Sequence, residues 1–70
     1  MNNSLRYKRF DINIRASLDG SPMRFDIVWQ VRRVKDLVFS RFTSKEFDSE
    51  KAAYEFGLQE ARAWIDERTQ

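Results

Sequence analysis

From Phe10 to Leu18 apolar and polar residues alternate, with Phe10, Ile12, Ile14, Ala16 and Leu18 on one side and Arg9, Asp11, Asn13 and Arg15 on the other. A period of two is the mark of a strand with one buried face. A second alternation sets Met23, Phe25, Ile27, Trp29 and Val31 against Arg24, Asp26, Val28, Gln30 and Arg32. Asp19-Gly20 between them suits a two-residue hairpin turn, whose central residues need positive φ. That turn predicts Leu18 opposite Ser21, Ala16 opposite Met23, Ile14 opposite Phe25, Ile12 opposite Ile27 and Phe10 opposite Trp29. Pro22 is tolerable only at the first positions of the second strand. A third strand over Leu37 to Thr43 carries two conflicting parities, Val38 with Phe42 and Leu37 with Phe39. A two- or four-residue turn near Val34 to Leu37 turns the first pair inward and a three-residue turn the second. The preferred reading puts Phe42 inside and Phe39 outside.

From Asp48 the period changes to 3.6. Asp48 is the expected N-cap, Glu50 lies in the acidic first turn, and Phe47 is placed to staple back to Ala52. Ala53, Tyr54, Gly57, Leu58, Ala61, Trp64 and Ile65 form one stripe, with Glu55, Gln59, Arg62 and Asp66 opposite. Ala53, Gly57 and Ala61 recur every four residues with Trp64 continuing the row; a glycine there costs about 1 kcal/mol of helix propensity, so it implies close approach of helix to sheet. Ala52, Phe56 and Ala63 form a smaller patch, in which Phe56 either curls over the sheet edge or marks a partner site. The prediction is an α+β fold: a single domain over residues 1–70, a three-stranded antiparallel meander (strands about 7–18, 22–32 and 37–43) and one C-terminal helix (about 49–67) packed on one sheet face.

Composition sharpens this picture. Seventy residues bury a modest core, and six Phe, two Trp and two Tyr supply it without disulfides. The net charge of +2 conceals an asymmetry. Residues 1–45 hold ten Lys/Arg against four acids, +6, and residues 46–70 hold three against seven, −4. Such a chain attracts an anionic partner on one side or pairs with itself.

With no Cys and no His, the chain lacks thiol nucleophiles, imidazole acid/base chemistry and every zinc site built from those residues. Glu60 and Asp66 read as solvated surface charges, and Lys8, Lys35, Lys45 and Lys51 lie outside any apolar stripe that would lower a lysine pKa. The expectation is a non-catalytic protein with no cofactor and no metal. No secretory signal or apolar span of roughly 20 residues is present, so no membrane partner is expected, and the cytoplasm is the expected location.

The informative surface is the sheet face that the helix leaves open. The expected register gives it Tyr7, Arg9, Asp11, Asn13, Arg15, Arg24, Asp26, Val28, Gln30 and Arg32, with Phe39 and Arg41 from the third strand. Guanidinium forks bind phosphate or guanine, amides read adenine edges, and exposed rings stack on bases. Arg9, Arg15, Arg24, Gln30, Arg32 and Arg41 are therefore the candidate nucleic-acid-binding residues. Tyr7, Val28, Phe39 and Phe56 are the candidate interface residues of the competing reading, a homodimer or a protein-interaction accessory domain. Asp11 and Asp26 sit among the arginines and offset part of their field. No small-molecule substrate is evident.

An aromatic-rich sheet followed by Phe47-Asp48-Ser49-Glu50-Lys51-Ala52-Ala53 and Ala61-Arg62-Ala63-Trp64-Ile65-Asp66 resembles small uncharacterised bacterial domains of strand-strand-strand-helix type. A more distant likeness is to the arm-type DNA-binding domains of phage integrases, which place a three-stranded sheet in the major groove. That likeness implies groove-facing roles for Arg15, Arg24, Gln30, Arg32 and Arg41. The sequence departs from it in the acids Asp11 and Asp26 and in its modest total charge, and no recombinase domain is expected to follow.

Overall fold

A computed structural model of the chain describes residues 2–19, 23–34 and 36–69. Strands β1 (Asn2–Tyr7), β2 (Phe10–Leu18), β3 (Arg24–Arg33) and β4 (Asp36–Glu46) precede one helix, α1 (Glu50–Arg68). The sheet is an antiparallel meander in the order β1-β2-β3-β4, with α1 lying across β2 and β3 on one face. The α+β class and the single C-terminal helix are as expected, but the strands among the described residues number four, not three.

The additional strand arises from a turn with no glycine or asparagine to announce it. Lys8 and Arg9 adopt φ of 48° and 71°, the positive values that a two-residue hairpin turn of primed type requires. They join Tyr7 directly to its partner Phe10. Leu5 and Tyr7 then fall on the helix side, packed against the core.

The β2/β3 register also differs from expectation. Ile12 meets Val31, Ile14 meets Trp29, Ala16 meets Ile27 and Leu18 meets Phe25, a shift of four residues. The Asp19 N–H donates to the Arg24 carbonyl at 2.7 Å, which carries the same register one pair beyond Leu18 and Phe25. Gly20, Ser21, Pro22 and Lys35 themselves lie outside the described residues. Because four is an even number, every side chain keeps its face. Ile12, Ile14, Ala16, Ile27, Trp29 and Val31 are fully buried and Phe25 nearly so. Leu18 and Met23, at the end of the sheet, are exposed instead of inward.

In β4 the parity conflict is resolved by a bulge. Arg33 faces Asp36 and Arg32 faces Leu37, but Val31 faces Phe39, so Val38 is the extra residue. The turn sets one parity and the bulge reverses it. Phe39 therefore points to the helix and Phe42, 62% exposed, points away, the reverse of the preferred reading.

The helix buries Ala53, Gly57, Ala61 and Ile65 against the sheet, so Ile65 rather than Trp64 continues the small-residue row. Its N-cap is Ser49, whose hydroxyl accepts from the Ala52 N–H at 3.1 Å. Asp48 thus lies one residue outside, and Phe47 packs on the rings of Phe25 and Phe56 instead of stapling Ala52. Trp64 stacks on Phe39 with ring centroids 5.0 Å apart, and Phe39 in turn touches Trp29.

Candidate nucleic-acid interface

The open face is built by alternate residues of all four strands. Strand pairing lines them up in rows across the sheet. One row reads Arg15, Val28, Phe42 and the next Asn13, Gln30, Ser40. Outside these lie Arg6, Asp11, Arg32, Leu37 on one side and Ser17, Asp26, Ser44 on the other, with Arg24 and Glu46 beyond. Rows on one face repeat every second residue, roughly 7 Å apart. The acids occupy only the outer rows, so the two central rows carry none. At their centre Asn13, Arg15, Val28 and Gln30 line a shallow depression of about 300 Å³.

Charge on this face is less one-sided than the sequence suggests. Arg6, Arg15, Arg24 and Arg32 stand against Asp11, Asp26 and Glu46. Arg6 Nε is 3.2 Å from Asp11 Oδ1, and Arg24 Nε donates to Ser44 Oγ at 3.1 Å. No ion pair among the described residues engages Arg15 or Arg32. These two exposed guanidiniums flank the acid-free centre diagonally, one row apart from the amides on either side.

Four expected residues lie elsewhere. Tyr7 is on the helix side, where its hydroxyl donates to Asp66 Oδ1 at 2.9 Å. Phe39 is inside, and the same bulge carries Arg41 to the helix side, where its Nη1 lies 3.7 Å from Glu60 Oε2. Arg9 is in the β1/β2 turn, exposed at one end of the sheet and not on its face. Arg15, Arg24, Val28, Gln30 and Arg32 stand where expected. Phe56 curls over the sheet edge, half-buried between Phe47 and the Lys45 ammonium, 4.8 Å above its ring. Phe42 and Arg6 are additions to the open face. The paired parities in β4, read as evidence for a bulge, were the signal for Phe42; Arg6 had none, because its strand had none.

Glu60 and Asp66 are anchors rather than solvated charges. Glu60 Oε1 accepts from the indole Nε1 of fully buried Trp29 at 3.2 Å. Asp66 Oδ1 accepts from both Tyr7 and Lys8 Nζ, the latter at 2.6 Å. The hydrogen bond from Lys8, then that from Tyr7, holds the Asp66 carboxyl below its ordinary range. The same contact with Asp66 raises the Lys8 ammonium. Both acids lie on the helix side, so they add no negative charge to the open face.

No protein-family model, curated protein or solved structure matches this chain. Among the described residues no helix is long and apolar enough to cross a membrane.

Proposed function

We propose that this protein is a non-catalytic binding module whose open sheet face takes a single-stranded nucleic acid. The observation that carries the reading is the acid-free centre of that face, where Arg15, Asn13, Gln30, Val28 and Phe42 stand together. Exposed guanidiniums meet phosphates, the Asn13 and Gln30 amides offer donors and acceptors to base edges, and the Phe42 ring is a stacking surface. A single strand fits better than a duplex because stacking needs an unpaired base face, and because Asp11, Asp26 and Glu46 at the periphery would meet the phosphate walls of a groove. The acids on the helix side orient the anion toward the sheet. In this reading Arg9 contributes at the sheet's end, and Arg41 contributes only to the fold.

The test is fluorescence anisotropy of a labelled mixed-sequence single strand over a salt series. Affinity is expected to fall steeply with salt. Arg15→Ala with Arg32→Ala is expected to flatten the slope by about 0.7 for each phosphate that is no longer neutralised. Phe42→Ala is expected to weaken binding by about 1–3 kcal/mol at fixed salt, whereas Lys51→Ala on the helix leaves it unchanged. Absence of salt-sensitive binding at low ionic strength overturns the proposal.

A further inference from the structure

The sheet has two free edges, and the molecule treats them differently. In an antiparallel ladder, residues alternate between bonding one neighbour strand and bonding the other. The Phe47 N–H donates to the Met23 carbonyl at 3.1 Å, which fixes the phase of β4. Counting back along the pairs, Lys45, Thr43, Arg41 and Phe39 bond β3. Ser40, Phe42 and Ser44 therefore aim their N–H and C=O groups at the free edge. Nothing among the described residues accepts those N–H groups. On β1 the same count turns the Ser4 N–H outward, but there the Asn3 Oδ1 accepts it at 2.8 Å, and that strand is only six residues long. β4 has eleven residues, no proline, and three exposed apolar side chains, Leu37, Val38 and Phe42. The bulge at Val38 blunts one end of this edge and Lys45 stands near the other, which leaves the regular stretch from Ser40 to Ser44 open to pairing.

We propose that β4 pairs antiparallel with β4 of a second copy about a two-fold axis through Phe42. An edge-to-edge two-fold stands perpendicular to the sheet, so each residue must meet a partner on its own face, and the central residue must aim its backbone outward. The bulge at Val38 ends the regular outward edge, so the register that uses most of it is centred on Phe42. There Phe42 pairs with its own copy, Ser40 with Ser44, Arg41 with Thr43 and Phe39 with Lys45. Every outward N–H from Ser40 to Ser44 gains an acceptor, and no like charges oppose one another. The register also brings Glu46 of one copy opposite Val38 of the other, within reach of the neighbouring Arg32; neither Glu46 nor Arg32 forms an ion pair within its own chain among the described residues. This self-complementarity selects a second copy as the occupant. The product is one eight-stranded sheet with both helices on one side and the two Phe42 rings side by side on the other. It is independent of the nucleic-acid reading, since the open face stays open.

Amide hydrogen exchange followed by NMR distinguishes the outcomes on the unmodified protein. In the dimer the Ser40, Phe42 and Ser44 amides are slowed about tenfold or more, approaching Arg41 and Thr43, and their protection rises with protein concentration. Sedimentation then gives twice 8.4 kDa. Ser40→Pro removes one outward donor and none that bonds β3; it is expected to return the mass to 8.4 kDa with the helical circular dichroism retained. Phe42→Lys, which sets two ammonium groups on the axis, is a second variant with the same expectation. Fast exchange at Phe42 and Ser44 with a monomeric mass up to millimolar concentration overturns the proposal. A dimer that survives both substitutions overturns it equally, because its contact then lies elsewhere.

Discussion

At Gly57 the helix comes close to the sheet, and replacing this glycine with alanine measures how tightly the two layers meet. A Cβ built there lies 2.9 Å from Ile27 Cγ2, 3.3 Å from Ile14 Cγ2 and 3.9 Å from Trp29 Cδ1. Ordinary carbon contacts are about 3.5–4.0 Å, so Ile27 or the helix must yield by more than half an ångström. The two isoleucine methyls are branches on rigid Cβ atoms of fully buried side chains in a close-packed core, so neither moves aside freely. Alanine gains about 1 kcal/mol of helix propensity over glycine, and overpacking costs about 1–3 kcal/mol. We expect Gly57→Ala to lose about 1 kcal/mol net, equivalent to a fall in Tm of about 4–8 °C for a domain of this size. Urea denaturation followed by helical circular dichroism checks it. A gain of about 1 kcal/mol, the value for an unpacked helix, would refute close approach at Gly57 and with it the packing of α1 on β2 and β3.

Other substitutions probe single contacts. Glu60→Ala strips the buried Trp29 indole of its acceptor and is expected to cost about 1–3 kcal/mol, most of it recovered by Glu60→Gln; equal loss in both variants would assign the effect to Arg41 instead. Arg9→Gly releases a side chain held at φ 71° and is expected to raise the urea midpoint by the equivalent of about 0.5–1 kcal/mol; a loss would contradict the positive-φ turn. Because the folded Asp66 carboxyl lies below its ordinary value of 3.8, the stability it contributes is present above that pH and is lost as the pH falls through the lowered value. Asp66→Asn is expected to flatten that acid limb, read as the urea midpoint against pH, and superimposable limbs would contradict the Lys8–Asp66–Tyr7 contact. Lys8 works in the opposite sense: its contribution is present below 10.5 and fades as the pH rises beyond that value toward its raised pKa.

Much of this architecture is legible from burial periodicity. Ile12, Ile14, Ile27, Trp29 and Val31 announce the core because alternation fixes a face whatever the register, which is why a four-residue error left the sorting of side chains intact. Turn chemistry is less readable. Lys8-Arg9 takes positive φ without glycine or asparagine, and the strand before it is polar at every position but Leu5 and Tyr7, so β1 has almost no apolar signal of its own. The candidate site shows the same division. Arg15, Arg24, Val28, Gln30 and Arg32 follow from alternation, whereas Phe39, Phe42 and Arg41 hinge on a bulge that reverses parity within one strand. Asp48 is the cap that the sequence predicts, and the geometry of the entering chain gives that role to Ser49 one residue later.

Chemical-shift mapping of the backbone amides during titration with a short single-stranded oligonucleotide tests the proposal that the acid-free centre of the open face receives an anionic strand. Shifts are expected to concentrate at Asn13, Arg15, Val28, Gln30, Arg32 and Phe42, to diminish as salt is added, and to leave Glu55 and Gln59, exposed on the helix, unmoved. Shifts confined to the helix, or none at low ionic strength, would contradict it.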